Sequence, residues 1–181
     1  MKKILFTAAV AAIAAVCATQ ASAQDAAPAQ NPVSLEIGVT QANVSDDYDM
    51  SFTLLTARAG FALNSNISLE AEGGFGLTEE TVREMGVDVD FKIKWTAGAF
   101  VKAQFPVSDK VRLFGRLGYA KTEVSGEANG YEVTASGDGV AGGVGAEVDL
   151  GGANALRFDV TRYKLDDSNV DSVSLTLRRQ F

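Results

Sequence analysis

Histidine is absent from this chain, and its single cysteine, Cys17, lies in an apolar N-terminal segment. These absences exclude Ser-His-Asp and Cys-His nucleophile systems and histidine-based metal hydrolysis, so we predict no enzyme activity, no catalytic residue, no cofactor and no metal site. After the N-terminal segment, no apolar run reaches the ~18 residues that indicate a transmembrane helix. Lysine and arginine do not cluster and the net charge is −7, so nucleic acid is not an expected partner.

The N-terminus has the three parts of a secretory signal peptide. Lys2 and Lys3 precede an apolar run at residues 4–17, and the small-x-small sequence Ala21-Ser22-Ala23 follows that run. The apolar run is shorter than the ~20 residues that a membrane-spanning helix needs. We therefore predict that residues 1–23 are a cleaved signal peptide that directs the chain across the inner membrane.

Two regions follow the predicted signal peptide. Residues 24–32 are rich in Ala, Pro and Gln, which indicates a flexible segment, and residues 33–181 are long enough for one domain. Two alternatives remain for the N-terminus, an uncleaved anchor and a lipid-modified Cys17. Val16 disfavours lipidation, because a small residue is needed before a lipidated cysteine.

A long segment at residues 87–105 alternates between apolar and polar side chains. All of its odd positions are apolar, and among its even positions only Phe100 is a large hydrophobe. Successive side chains of a strand point to opposite faces, so the segment is predicted to be a strand with one apolar and one charged face. Its length exceeds the usual ~5–6 residues and is expected of a strand that crosses a bilayer. A membrane protein without helices must be a closed barrel, because backbone groups in lipid need internal partners.

Strand-like segments fill the rest of the predicted domain. We predict an all-β fold, an eight-stranded antiparallel up-and-down transmembrane β-barrel, with strands at 33–44, 51–63, 67–77, 87–105, 110–124, 132–150, 155–165 and 170–181. Short turns are predicted at 64–66, 106–109 and 151–154, and longer loops at 45–50, 78–86, 125–131 and 166–169. Short turns are periplasmic in outer-membrane barrels, so both termini are expected on the periplasmic side.

Alternation alone leaves open which face of the strands points outward. In a soluble lipocalin-like barrel the apolar face fills the interior, whereas in an outer-membrane barrel it contacts lipid. Small residues are frequent on the polar faces, the charges there are nearly balanced, and the chain ends in an aromatic residue, Phe181. These features favour the membrane protein; a soluble periplasmic barrel that binds an apolar ligand is the alternative.

The C-terminal strand resembles the signal that barrel-assembly machinery recognises in outer-membrane proteins. Its alternate apolar positions lead to a terminal aromatic: Val173, Leu175, Leu177 and Phe181. Segments 142–150 and 156–163 are similar to the last hairpin of small OmpA-like and opacity-type porin-family barrels, although Arg179 stands where that family usually has tyrosine. The resemblance implies an integral β-barrel of the outer membrane of a diderm (Gram-negative) bacterium.

The same resemblance sets the expected partners and role. Outer-membrane lipid and lipopolysaccharide would surround the barrel, and barrel-assembly machinery and periplasmic chaperones would bind it during biogenesis. The sequence allows a monomer. The expected role is structural or in surface interactions, with at most weak porin-like activity.

Charged side chains on the polar faces are expected to form a network inside the lumen. Its predicted members are Glu36, Arg58, Glu70, Glu72, Lys102, Arg112, Arg116, Glu147, Asp149, Arg157, Asp159 and Arg178. An eight-stranded barrel is only wide enough inside for side chains, and an unpaired buried charge is costly, so these charges must pair. We expect the pairs to plug the lumen; a narrow, gated ion path is the alternative.

Three other patterns in the sequence have simpler interpretations than a binding or catalytic site. The longer loops are acidic, which allows divalent cations that bridge to lipopolysaccharide, but no ordered Ca²⁺-loop spacing is present and a solvated rim is preferred. Residues 137–142 match the GxGxxG fingerprint, but a strand and not a helix is predicted after them. Glu70 and Glu72 could form a carboxylate pair, and both are better interpreted as lumen partners of arginines.

The long alternating segment also predicts where the bilayer lies. Ten residues separate Trp95 from Phe105, and they span ~25 Å vertically at ~3.3 Å per residue and a tilt near ~40°. We predict that Trp95 marks the outer interface and Phe105 the inner one. Val89, Phe91 and Ile93 would then face outward above the apolar band, where they would need a cover.

Overall fold

The computed structural model describes residues 32–45, 49–84, 87–128, 130–166 and 168–181. The predicted signal peptide lies outside these ranges, as do most of the predicted flexible segment and the acidic loop residues Asp46, Asp47 and Asp167. Within the described ranges, no helix is long and apolar enough to cross a membrane. The strands there are β1 Val33–Ser45, β2 Asp49–Ala62, β3 Ile67–Gly76, β4 Glu79–Glu84, β5 Val87–Pro106, β6 Val111–Ala128, β7 Tyr131–Gly151, β8 Asn154–Leu165 and β9 Ser168–Gln180.

Eight of these strands close into an antiparallel ring. Each strand pairs with its neighbours in sequence, β3 pairs with β5, and the ring closes where β1 pairs with β9, with Ser34 opposite Gln180. Closure leaves no free edge along the ring, which is how a barrel satisfies its backbone groups in lipid. The predicted eight-stranded antiparallel up-and-down barrel is therefore confirmed.

Two predicted loops are largely strands. The segment predicted as a loop at 78–86 contains β4, which pairs with the start of β5 so that Val82 lies opposite Val89. The segment predicted as a loop at 125–131 continues the β6–β7 hairpin, which turns near Gly130, whose φ is +79°. These predictions were wrong because cross-strand pairs extend the ladder into segments whose turn-like composition indicated a loop.

Near the short turns at 64–66, 106–109 and 151–154, the outside of the barrel wall is apolar and the inside is charged. On β1, Leu35 and Ile37 are 51% and 57% exposed on the outside, whereas Glu36 between them is 5% exposed inside. The same arrangement holds on β9, where Leu177 is exposed and Arg178 is buried. Apolar side chains outside and charges inside are the reverse of a lipocalin, so the soluble alternative is not supported.

This polarity inverts toward the outer ends of the strands. Beyond Thr40 on β1, the inward residue Ala42 is buried and apolar, and the outward residues Gln41 and Asn43 are polar. On β2, Phe52 is buried and faces inward, between polar neighbours on the outside. The outer part of the barrel is thus built like a soluble barrel, with an apolar inside and a polar outside.

A β-bulge in β5 marks this change. The register with β6 shifts between Ile93, which lies opposite Val124, and Trp95, which lies opposite Glu123, so that Lys94 is an extra residue. Because of this extra residue, Ile93 is 5% exposed and packs inside, with Phe91 against the same cluster. The prediction that Val89, Phe91 and Ile93 face outward was wrong, since it assumed alternation without a bulge.

Candidate functional site: the charged lumen

Eleven of the twelve predicted lumen residues form one connected ion-pair network inside the barrel. They come from all eight strands of the ring, β1 to β3 and β5 to β9. They are joined by nitrogen–oxygen distances of 4.0 Å or less. Glu147, Arg157 and Asp159 are fully buried. The members are Glu36, Arg58, Glu70, Glu72, Lys102, Arg112, Arg116, Glu147, Arg157, Asp159 and Arg178.

Arg157 occupies the centre of the network. Its Nη1 donates to Glu70 Oε1 at 2.7 Å and to Glu36 Oε1 at 3.2 Å, and its Nε donates to Asp159 Oδ2 at 3.3 Å. The planar guanidinium presents several donors at once, so it can donate hydrogen bonds to all three carboxylates. One side chain on β8 thus links β1 and β3 across the lumen.

Glu72 and Asp159 are shared by two arginines toward the outer end of the network. Arg58 Nε donates to Glu72 Oε2 at 2.6 Å, and Arg116 Nη1 donates to the same oxygen at 2.8 Å. Arg58 also donates to Asp159 Oδ2 at 3.0 Å. Charge-assisted bonds of this length are the stronger kind, and each carboxylate is held by more than one cation.

Glu147 collects three cations at the periplasmic end of the network. Lys102 Nζ donates to its Oε1 at 2.6 Å and Arg178 Nη1 to its Oε2 at 3.0 Å, and Arg112 Nε lies 3.5 Å from Oε2. Arg112 keeps 28% of its side chain exposed. Asp149 lies apart from this group, near the end of β7 opposite Ala155, and its Oδ1 accepts from the Gly151 amide at 2.8 Å. Among the described residues, no ion pair joins Asp149 to the network, and its carboxylate accepts from the β7 backbone instead.

Two phenylalanine rings underlie the cations of the network. The guanidinium of Arg116 lies 3.5 Å from the centroid of Phe100, and that of Arg157 lies 4.2 Å from the centroid of Phe114. A desolvated cation over an aromatic ring gains ~2 kcal/mol or more. Neither ring was among the predicted lumen residues, although an isolated large hydrophobe at an inward position, as at Phe100, is a signal for such a ring.

Glycine makes room for one of these rings. A Cβ added to Gly145 would overlap the Phe158 carbonyl oxygen, the Phe114 ring and Asp159. The small residue therefore lets β7 approach β8 while Phe114 fills the lumen beside Arg157. This agrees with the expected use of small residues on the crowded inner face.

Hydroxyl groups, which were not among the predicted lumen residues, complete the network. The Tyr163 hydroxyl donates to Glu72 Oε1 at 2.8 Å, and the Thr176 hydroxyl donates to Glu36 Oε2 at 3.2 Å. Arg58 Nη2 donates to the Ser174 hydroxyl oxygen at 3.2 Å. Hydroxyls give no charge signal in a sequence, and only the barrel register brings them to the carboxylates.

The acidic residues near the outer loops pair with cations across strands. Lys92 Nζ donates to Glu79 at 2.7 Å, and Lys94 Nζ donates to Glu132 at 2.9 Å. The hydrogen bond between the second pair raises the pKa of Lys94 and lowers the pKa of Glu132. The rim is therefore partly neutralised, and no group of three or more metal-ligating side chains occurs in the part of the chain that the structure describes.

Comparison with known proteins agrees with this geometry. The model of the outer membrane protein beta-barrel domain family matches residues 8–181. The chain belongs to this family of outer-membrane β-barrel proteins. No curated protein sequence shows a significant match.

Solved structures of outer-membrane barrels have the same fold. Ail, the attachment invasion locus protein of Yersinia pestis, is 20% identical with a TM-score of 0.64, and the match covers 84% of this chain and 100% of Ail. Neisserial surface protein A is 11% identical with a TM-score of 0.64, covering 82% and 97% of the two chains. The N-terminal barrel domain of OprF from Pseudomonas aeruginosa is 12% identical with a TM-score of 0.59, covering 84% and 100%.

The remaining predicted positions of this outer-membrane barrel lie on its outer face. Val173, Leu175 and Leu177 are 40–48% exposed on β9, and the terminal Phe181 is 55% exposed. Trp95 follows the bulge of β5, and Phe105 lies opposite Leu113 near the other end of that strand. The GxGxxG match at 137–142 lies within β7, so no helix follows it.

Proposed function

We propose that this protein is an integral outer-membrane barrel with a structural or surface-interaction role, whose lumen is plugged by charged side-chain pairs. The observation that carries the proposal is the eleven-residue network, in which Glu147, Arg157 and Asp159 are fully buried. An eight-stranded barrel leaves an interior just wide enough for side chains. Paired side chains across that interior leave little space for solute, so porin-like activity is at most weak.

The position of the cavities supports a plug. One cavity lies at the outer end of the barrel and a smaller one, of about 110 Å³, lies at the periplasmic end. Arg157 and Lys102 line neither cavity. The layer around Arg157 therefore separates the two cavities, as a plug requires.

The composition of the two faces supports the proposed partners. The exposed apolar outer face suits outer-membrane lipid, with lipopolysaccharide on the outer leaflet. The alternate residues Val173, Leu175 and Leu177, leading to Phe181, suit recognition by barrel-assembly machinery and periplasmic chaperones during biogenesis. The predicted signal peptide would deliver the chain to the periplasm, and a single closed ring is compatible with a monomer.

We propose that the outer surface of this protein does not bind the kind of ligand that was solved in complex with Ail. Ail was solved in complex with the heparin analogue sucrose octasulfate, a polyanion. This chain has a net charge of −7, and its outer strand ends carry carboxylates such as Glu123, Asp138 and Asp166. Like charges repel a polyanion, so we do not expect heparin-like ligands to bind this surface.

Planar-bilayer recording tests the plug. The refolded wild-type barrel is expected to give no steady conductance, whereas Arg157→Ala, which removes the central side chain, is expected to give open events. Arg162→Ala is the matched control, because Arg162 pairs with Asp171 on the outer face at 2.6 Å. Heat-modifiable migration on a gel verifies that each variant is folded.

A narrow ion path would give the opposite pattern. A steady wild-type conductance whose size or selectivity changes in Arg112→Ala or Arg116→Ala would overturn the plug. Recovery of the protein from the soluble periplasmic fraction without detergent would overturn the membrane assignment itself.

A further inference from the structure

A cavity of about 370 Å³ occupies the outer mouth of the barrel, above the charged network. Its wall is apolar: Ala42, Phe52, Leu54 and Ile93 are buried there, and Val44, Met50, Phe91, Val124 and Val170 pack against them. The residues come from β1, β2, β5, β6 and β9, so the cavity is surrounded by most of the ring. The cavity opens to solvent beside Ala135 and Asp166, which are exposed.

The size of the cavity is that of a binding site and not of a packing defect. Protein interiors are close-packed, with few voids larger than a water molecule. Small-molecule sites usually have volumes of ~300–1,000 Å³ and mostly apolar walls. Water in such a site finds few hydrogen-bond partners, so an apolar group that displaces it gains affinity.

The floor of the cavity does not require a polar ligand group. The hydroxyls of Thr40 and Thr56 share a hydrogen bond of 2.7 Å, and the Thr122 hydroxyl donates to Thr96 at 3.1 Å. The Tyr163 hydroxyl is used by Glu72. Because these groups satisfy one another, the end of the ligand that reaches the floor can be apolar.

Charge at the cavity favours a cation over an anion. The charged side chains that line it are Glu72 at the floor and Asp166 at the rim, both carboxylates. Glu72 is neutralised by Arg58 and Arg116, at 2.6 and 2.8 Å. Asp166 accepts from the Asp138 amide at 3.4 Å, and no lysine or arginine is among the lining residues that the structure describes. The negative charge of the Asp166 carboxylate is therefore available to a positive group at the mouth of the cavity.

We propose that the outer mouth binds a cationic amphiphile, with its apolar chain in the cavity and its positive head group beside Asp166. Met50 and Thr56 both line the wall and are six residues apart on β2. At ~3.3 Å per residue this distance is ~20 Å along the strand, enough for an extended chain of medium length. The proposal is independent of the plug, since the ligand ends above the charged network.

Methyl NMR on the barrel in nanodiscs tests the proposal, because the described part of the chain holds three isoleucines in different environments. Ile93 lies in the cavity wall, Ile37 is 57% exposed on the lipid face, and Ile67 begins β3 beside a periplasmic turn. Decyltrimethylammonium is expected to shift the Ile93 methyl saturably and to leave Ile67 unchanged. Decanoate, with a matched chain and opposite charge, is expected to bind at least about fivefold more weakly.

Matched variants locate the chain and the head group. Ala42→Phe fills the cavity and is expected to abolish the saturable shift, whereas Ala57→Phe makes the same change on the lipid face and is expected to keep it. Asp166→Asn is expected to reduce the preference for the cation, whereas Asp149→Asn at the periplasmic end is expected to leave it unchanged. Since Asp166 is exposed, its variant stays informative if Ala42→Phe does not fold.

Three results would overturn the proposal. The first is a shift of Ile93 that does not saturate and parallels Ile37, which would indicate partition into the bilayer only. The second is equal or tighter binding of decanoate, which would remove the role of the carboxylate. The third is an unchanged saturable shift in folded Ala42→Phe, which would place the ligand outside the cavity.

Discussion

The periplasmic part of this barrel and its outer mouth use the same strands with opposite polarity. On β1, the sequence from Leu35 to Val39 is apolar outside and polar inside, whereas Gln41 and Asn43 are polar outside and Ala42 is apolar inside. In the first region charged pairs hold the interior, and in the second an apolar wall surrounds a cavity. The difference shows that the medium outside the wall, lipid or water, determines what the inside must be.

We propose that the outer edge of the bilayer lies at the level where the polarity inverts. The change falls between Val39 and Gln41 on β1, and between Tyr119 and Lys121 on β6. Trp95 lies opposite Glu123, two cross-strand pairs beyond Lys121, and its place at the outer interface stays a prediction. Aromatic side chains commonly form girdles at this depth.

The largest expected effect comes from removing the centre of the charged region. Arg157→Met leaves Glu36 and Glu70 without their closest cation and Asp159 with fewer partners. Breaking a buried ion pair by removing one partner costs ~3–5 kcal/mol, and we expect a loss of unfolding free energy of this size. Urea unfolding in detergent micelles measures it.

The control for this prediction is an arginine outside the lumen. Arg162→Met removes a part-exposed pair with Asp171, and such pairs contribute ~0.2–1 kcal/mol. Equal losses in the two variants would contradict the distinction between lumen and outer-face charges.

An intermediate effect is expected from a charge placed on the outer face of each region. Leu117 is 68% exposed on the lipid face of β6, and Leu117→Lys is expected to cost ~2–4 kcal/mol, as for lysine near the bilayer midplane. Thr53→Lys makes a similar change on the outside of β2 above the boundary, where the expected cost is ~0–1 kcal/mol. Unfolding in lipid vesicles measures both losses of free energy. Equal losses in the two variants would contradict the claim that lipid surrounds the barrel at Leu117 and water surrounds it at Thr53.

The smallest effect is expected from deleting the bulge residue. Without Lys94, Ile93 and Trp95 would lie opposite Val124 and Glu123 in a regular ladder, with Ile93 still inside. The unfolding midpoint is expected to remain unchanged, and the Ile93 methyl resonance is expected to stay protected from a water-soluble paramagnetic reagent. An exposed Ile93 methyl in the deletion variant, beside a protected one in Lys94→Ala, would refute the assignment of the bulge.

Much of the membrane region could be predicted from the sequence because its two chemical faces alternate without interruption. The eight strands, the outward apolar face and most of the lumen charges follow from that pattern. The stacking of Arg116 on Phe100 could not be predicted, since the register between strands decides which ring lies under which cation.

The direction of the side chains at the outer mouth was predicted wrongly because two changes in the apolar–polar pattern compensate each other in β5. The change from lipid to water inverts the outer polarity, and the extra residue Lys94 inverts the alternation, so residues 87–105 look like one unbroken pattern. Other strands carry no such compensation: on β1 the apolar phase moves from Val39 to Ala42 and Val44. That change of phase was the available signal, and on β1 it covers only the last residues of the strand.

The account is tested most directly by the accessibility of two spin labels on the outer face of β1. The predicted mature chain has no cysteine, so Val39→Cys and Asn43→Cys can each be labelled uniquely in lipid vesicles. We predict that the label at residue 39 collides mainly with oxygen dissolved in lipid, and that the label at residue 43 collides mainly with a water-soluble nickel chelate. Equal accessibility of the two labels, or the reverse order, would contradict the inversion of polarity along the wall.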